Sequence, residues 1–183
     1  MTTFKKFFLT AKHWQIFLLL FVIPLVVEFA AMVFVPAMIT GSWQAMLFLI
    51  GAMLLYLSCY LGWLWSMGFF LGSILPSHLK MKDGFLGFAL VYPLLYVPVF
   101  ISITFAPGLD SAFAIIIPFH FFGMFCIFYA LYFVSKAMVM AETGRVASFY
   151  DYAGPFFLNW FYPFGIWFIQ PRINRLYTLR KNS

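Results

Sequence analysis

Glu28 and His120 are ionisable side chains set deep inside long apolar runs, and a carboxylate and an imidazole at one depth could relay a proton or hold a cation. Burying a carboxylate near a bilayer centre costs roughly 2.5–3.5 kcal/mol, so such a group normally faces inward and has a partner. The helical neighbours of Glu28 (Pro24, Leu25, Ala31 and Met32) supply no cation. If the first run leads outward and the fourth inward, Glu28 and His120 differ in depth by about one helical turn. Gly123, one turn from His120, permits close helix approach. The pair is therefore the candidate intramembrane polar site. Its plain role is a hydrogen bond joining spans one and four, and its sharper role is proton or cation coupling.

Other chemistry lacks its usual parts. His13, His78 and His120 belong to different depths or sides, so a His-rich metal centre is not expected. Asp83, Asp110, Glu142 and Asp151 border the apolar runs singly, without a close acidic pair. The chain has no Gly-x-Ser-x-Gly, no His-Glu-x-x-His and no phosphate-cradling Gly-x-x-x-x-Gly-Lys. Cys59 and Cys126 lie within apolar runs, not in a Cys-x-x-Cys, and read as small buried hydrophobes. No catalytic, cofactor or metal residue is expected. Asp151 or Glu142, at headgroup level, is all that a lipid-modifying enzyme would have to work with.

The elements that must position these groups follow from composition. Of 183 residues, 65% are hydrophobic and 9% charged, too little polar surface for a water-soluble domain of this size. The net charge of +6 is not a nucleic-acid footprint, because the basic residues sit in small groups beside apolar runs. They are placed instead to meet anionic lipid headgroups. The expected fold is all-α: one membrane domain over 1–183, with spans at about 14–39, 45–75, 85–106 and 112–140. Lys5-Lys6 and the run after them imitate a secretory signal peptide, but the run continues past Ala30-Ala31, so it reads as a retained anchor. Pro93 and Pro98 should kink or locally unwind the third span.

All 11 Lys and Arg fall near the chain ends, in the loop 76–84 or at and beyond the end of the fourth run, and none lies in 40–44 or 107–111. With four spans they share one side, which the positive-inside tendency makes cytoplasmic, with both termini there. Ser58, Gly62, Ser66, Gly68 and Gly72 place small residues at helical intervals on the second span, a packing face for another helix of the chain or for a second copy.

The segment 149–180 is apolar and aromatic but punctuated by Asp151, Pro155, Asn159, Pro163 and Gly165. A fifth span would carry Arg172, Arg175, Arg180 and Lys181 outside. The expectation is therefore two short helices lying in, or dipping into, the interface and broken near Pro163-Phe164-Gly165, with Trp160, Trp167, Arg172 and Arg175 at headgroup level.

Phe149-Tyr150-Asp151-Tyr152-Ala153-Gly154-Pro155-Phe156-Phe157, followed by Pro163-Phe164-Gly165-Ile166-Trp167-Phe168-Ile169-Gln170-Pro171-Arg172-Ile173-Asn174, resembles the tail of a group of uncharacterised bacterial four-span membrane proteins. Their 75–81 loop is similar too. The resemblance covers about a third of the chain and implies a bacterial inner-membrane location. It implies no activity, and makes the Gly165–Arg172 stretch either a working surface or an anchor. Three functions stay open. The leading one is a non-enzymatic accessory, scaffold or partner-binding subunit, in contact with the bilayer and with another membrane protein or a second copy. The others are a small permease or channel centred on Glu28 and His120, and a lipid-modifying enzyme.

Overall fold

The computed structural model describes residues 3–33, 36, 42–105 and 113–182, and every regular element among them is helical. The turns expected around Gly41 and at 107–111, with Asp110, lie outside the described residues. Four helices are long and apolar enough to cross a membrane: His13–Met32, Trp43–Ile74, Gly84–Thr104 and Ala114–Thr143.

The first span is preceded by a separate helix, α1 (Thr3–Thr10), which buries Phe8 and Leu9. The chain extends at Lys12, whose amide donates to Gln15 Oε1 at 2.9 Å, and re-enters a helix as α2 (His13–Phe17). A π-helical turn over Leu18–Val22 leads into α3 (Ile23–Met32), with the Ile23 amide reaching back to the Leu18 carbonyl. Pro24 has no amide to donate, and the wider turn just before it is where the ladder adjusts. At Pro93 and Pro98 proline has no such effect. The third span, α5 (Gly84–Phe105), stays one α-helix through Pro93 and Pro98, so the local unwinding expected there does not occur. In an apolar surround a freed carbonyl finds no water, and keeping the remaining helical bonds costs least.

The second span, α4 (Trp43–Ile74), starts at Ser42, whose Oγ accepts the Ala45 amide, and stops before Pro76. The fourth, α6 (Phe113–Thr143), ends at Gly144, the left-handed residue (φ 67°) that closes the last turn by donating to the Met140 carbonyl.

After a short turn the chain folds back as a helical hairpin, α7 (Phe149–Trp160) and α8 (Tyr162–Asn182). The break falls at Phe161, two residues before the expected Pro163. Pro163 instead occupies the first turn of α8, where its fixed φ suits the helix and its missing N–H is no loss. Gly165 lets the two arms touch: a Cβ there would stand 1.6 Å from the Leu158 carbonyl oxygen.

The hairpin is inserted between the spans rather than lying flat beneath them. Its tip meets α4 at Tyr60, whose ring is 5.1 Å from Tyr162, and meets α6 at Phe128, 4.7 Å from Trp160. Both are mid-helix positions, in helices of 32 and 31 residues. From the tip, α8 descends beside α4, with Gln170 on Trp63 and Tyr177 on Phe70. The packed core sits in this lower half, where Trp63, Leu64, Met67 and Leu71 meet Leu86, Phe133, Val134, Ala137, Ile166, Ile169 and Ile173. The outer apolar surface stays exposed, with Val26 at 63%, Leu95 at 69% and Ile115 at 69%, as a face toward lipid requires.

Candidate functional site

Because the hairpin stops at mid-height, the space above its tip is left open. A cavity of about 360 Å³ lies there, walled by Tyr56, Leu57 and Tyr60 of α4, Met124, Ile127, Phe128 and Leu131 of α6, and Trp160 and Tyr162 at the hairpin tip. Its lining is mostly rings. Tyr56 and Tyr60 have nearly parallel rings with centroids 6.4 Å apart, and the Tyr162 ring centre lies 6.3 Å from that of Tyr56.

Glu28 stands on α3, half-buried, within electrostatic reach of Tyr56 and Tyr162. His120 is elsewhere: exposed on α6, its ring lies 5.1 Å from Phe100 and 5.9 Å from Tyr96. No hydrogen bond or ion pair joins Glu28 and His120 among the described residues. Equal depth is one coordinate, and the position around the bundle is another. The helix carrying Glu28 packs on α4, whereas His120 faces the neighbouring third span.

Polar chemistry concentrates instead on Gln170, which is fully buried. Its Oε1 accepts the Trp63 indole N–H at 2.9 Å. Its Nε2 donates to the Phe8 carbonyl at 2.8 Å, the Ala11 carbonyl at 3.1 Å and Asn174 Oδ1 at 2.9 Å. Asn174 Nδ2 donates to the same Ala11 carbonyl at 3.0 Å. The tail thus donates to backbone carbonyls at and just after the end of α1. Higher up, Tyr60 donates to the Asn159 carbonyl at 3.0 Å, and Asn159 Nδ2 donates to Ser135 Oγ and to the Pro155 carbonyl, each at 3.0 Å. Asn159 Oδ1 is buried with no partner.

The candidate interfacial residues divide. Trp160 lines the cavity, and Trp167 packs 4.7 Å from His13 and 5.8 Å from Phe17 on the first span, both indoles remaining about half exposed. Arg172 pairs in two-pronged fashion with Glu142, while Arg175 is exposed beside them. Asp151 forms a two-pronged pair with Arg145 at 2.9 and 3.2 Å and accepts the Ser148 amide and hydroxyl as the capping box of α7. Hydrogen bonds from Arg145 first, then from Ser148, hold its carboxyl well below the usual carboxylate range. Both headgroup-level carboxylates thus carry structural partners.

Gly68 and Gly72 on α4 meet neighbouring helices of the chain. A Cβ on Gly68 would reach Leu86 Cδ2 at 2.8 Å, and one on Gly72 would touch Phe133 at 4.0 Å. Ser66 is buried and donates to the Gly62 carbonyl. Ser58 and Gly62 line a groove of about 280 Å³ shared with Lys5, Trp65 and Leu90. No group of three His, Cys, Asp or Glu side chains among the described residues is placed to hold a metal ion.

The tyrosine cluster and the Asn159 and Gln170 networks went unmarked in the sequence. One signal was available: an amide buried in an otherwise apolar aromatic tail needs partners. Fold and site together define a helical membrane protein whose tail hairpin forms the floor of a cavity among the spans. Compared with known protein families, curated proteins and solved structures, the chain shows no match.

Proposed function

We propose that the protein works by binding, as a non-enzymatic accessory subunit of a bacterial inner membrane that holds a lipophilic molecule in the cavity above its tail hairpin. The basic end of the bundle, carrying both termini, faces the cytoplasm in this reading, so the hairpin re-enters the membrane from that side and the cavity lies in the outer half. The observation that carries the proposal is the cavity above the hairpin tip, about 360 Å³ behind a mostly aromatic, apolar lining. Mostly apolar concave sites of a few hundred Å³ with a few polar groups are the usual form of small-molecule sites. Engagement of Glu142 and Asp151 by Arg172 and Arg145 favours binding over lipid chemistry at those carboxylates. The permease reading keeps Glu28, which lies within electrostatic reach of the cavity tyrosines Tyr56 and Tyr162, and loses His120 as its second centre.

A photoreactive phenylalanine at Met124 on the cavity wall, compared with one at the lipid-facing Ile115, tests this in native membranes. The expected result is a discrete adduct at Met124 that is absent at Ile115. Phospholipid adducts in bulk proportion at both positions would remove the binding reading.

A further inference from the structure

Two features of the cavity region bear on the charge of its occupant. The first is Glu28, half-buried on α3, with no hydrogen bond or ion pair among the described residues. A carboxylate at membrane depth is normally matched by a cation, and no Lys or Arg occurs anywhere between Lys12 and Lys80 or between Lys82 and Lys136. No basic side chain lines the cavity. The second is the lining, in which Tyr56, Tyr60, Phe128, Trp160 and Tyr162 supply five aromatic rings. Ring faces carry the negative part of the aromatic quadrupole, and they attract a desolvated cation by about 2 kcal/mol. Carboxylate and ring faces both present negative potential, and no basic residue of the lining answers them. The hydroxyl of Tyr60 is already spent on the Asn159 carbonyl.

Resting on the proposed binding role of the cavity, we infer that its ligand is a lipophilic organic cation, seated among Tyr56, Tyr60, Trp160 and Tyr162 with Glu28 as its counter-charge. The apolar walls, Leu57, Ile127 and Leu131, take the ligand's hydrocarbon, and Met124 is the adaptable contact. Specificity follows from what is missing. An anion of the same shape would meet Glu28 and the ring faces with no compensating cation in the lining, and a neutral molecule would gain the packing but not the charge term.

The experiment uses the full chain in lipid nanodiscs and three tetrahedral probes of similar shape: tetraphenylphosphonium, tetraphenylborate and the neutral tetraphenylsilane. Saturable binding is measured against protein-free discs. Tetraphenylphosphonium is expected to bind, tetraphenylborate not to bind, and tetraphenylsilane to bind more weakly. Glu28→Gln should weaken phosphonium binding about tenfold or more, the loss of one counter-charge in a low-dielectric site, and should leave tetraphenylsilane unchanged. Glu28→Asp should retain most of the phosphonium affinity. Met124→Trp, which fills the site from its exposed edge, should abolish binding of both ligands. Equal binding of phosphonium and silane, preference for the borate, or a Glu28→Gln variant that binds like wild type would each overturn the cation assignment while leaving the cavity's binding role standing. If no probe binds, the cation assignment falls, and the binding role is then decided by the Met124 crosslink alone.

Discussion

Replacing Gln170 by Met tests the central polar contact of the fold. Methionine keeps nearly the same length and volume, so the change removes hydrogen bonds without opening a large cavity. The buried Trp63 indole N–H, at 2.9 Å from Oε1, loses its acceptor, and the Phe8 carbonyl, at 2.8 Å from Nε2, loses the donation from the tail. The Ala11 carbonyl keeps the Asn174 donor. An orphaned buried polar group costs about 1–3 kcal/mol, so the variant should lose at least that much, a large share of a marginal total stability. Adding Trp63→Phe removes one orphan together with its former partner. The double variant should then be less destabilised than the sum of the singles, by about 1 kcal/mol, between the ~0.6 kcal/mol average for interhelical bonds in lipid and the cost of a buried orphan. Equilibrium unfolding in mixed detergent, followed by tryptophan emission and far-UV dichroism, reads all four corners of the cycle. A Gln170→Met variant within about 0.5 kcal/mol of wild type, or a cycle with no coupling, would refute the assignment of Gln170 as the joint between the tail, the second span and α1.

Gly165→Ala should force the hairpin arms apart, because its methyl group would overlap the Leu158 carbonyl, whereas Gly154→Ala meets open space. Trypsin cleavage around Arg172 to Arg180 in inverted vesicles should accelerate for the first and not for the second. For Asp151, whose folded carboxyl sits below its unfolded range, the linked stability is present above the ordinary carboxylate pKa and is lost as pH falls through and below it. Amide exchange in α7 should therefore speed up below about pH 5, and Asp151→Asn should abolish that pH dependence. Breaking the partly exposed Glu142–Arg172 pair with Arg172→Ala should cost on the order of 1 kcal/mol in the same unfolding assay. Reporter fusions at residues 42 and 81 should fall on opposite sides of the membrane, and finding both on one side would end the four-span topology.

The spans were legible because their signal is cumulative. Twenty or more apolar residues in a row leave water no claim on the backbone, whatever their order, and the second, third and fourth spans begin or end near a Ser, Gly or Pro visible in the chain. The tail was legible as two helices, but its depth was not. Whether an aromatic amphipathic pair lies flat or inserts depends on whether the bundle has room between its spans, and only three-dimensional packing answers that. Here Gly165 narrows the hairpin, and Asn159 and Gln170 find partners on α6, α4 and α1. The Glu28–His120 pairing rested on depth without azimuth, and nearly uniform hydrophobicity around each span hid which face turned inward. Arg172 and Asp151 read as headgroup contacts because their partners, Glu142 and Arg145, become neighbours only after the chain doubles back.

The joint at Gln170 also sets an order in time. The carbonyls at the end of α1 are among the first groups made, and the amides that cap them sit more than 150 positions later in the chain. Spans can enter the bilayer one after another during synthesis, but this closure must wait until residue 174 has emerged. Until then the nascent protein carries a half-built bundle with an open wedge on the side where its last helices will arrive. Completion is thus a single late docking event, and a quality-control protease that senses unoccupied polar backbone in the membrane would have its window before that event.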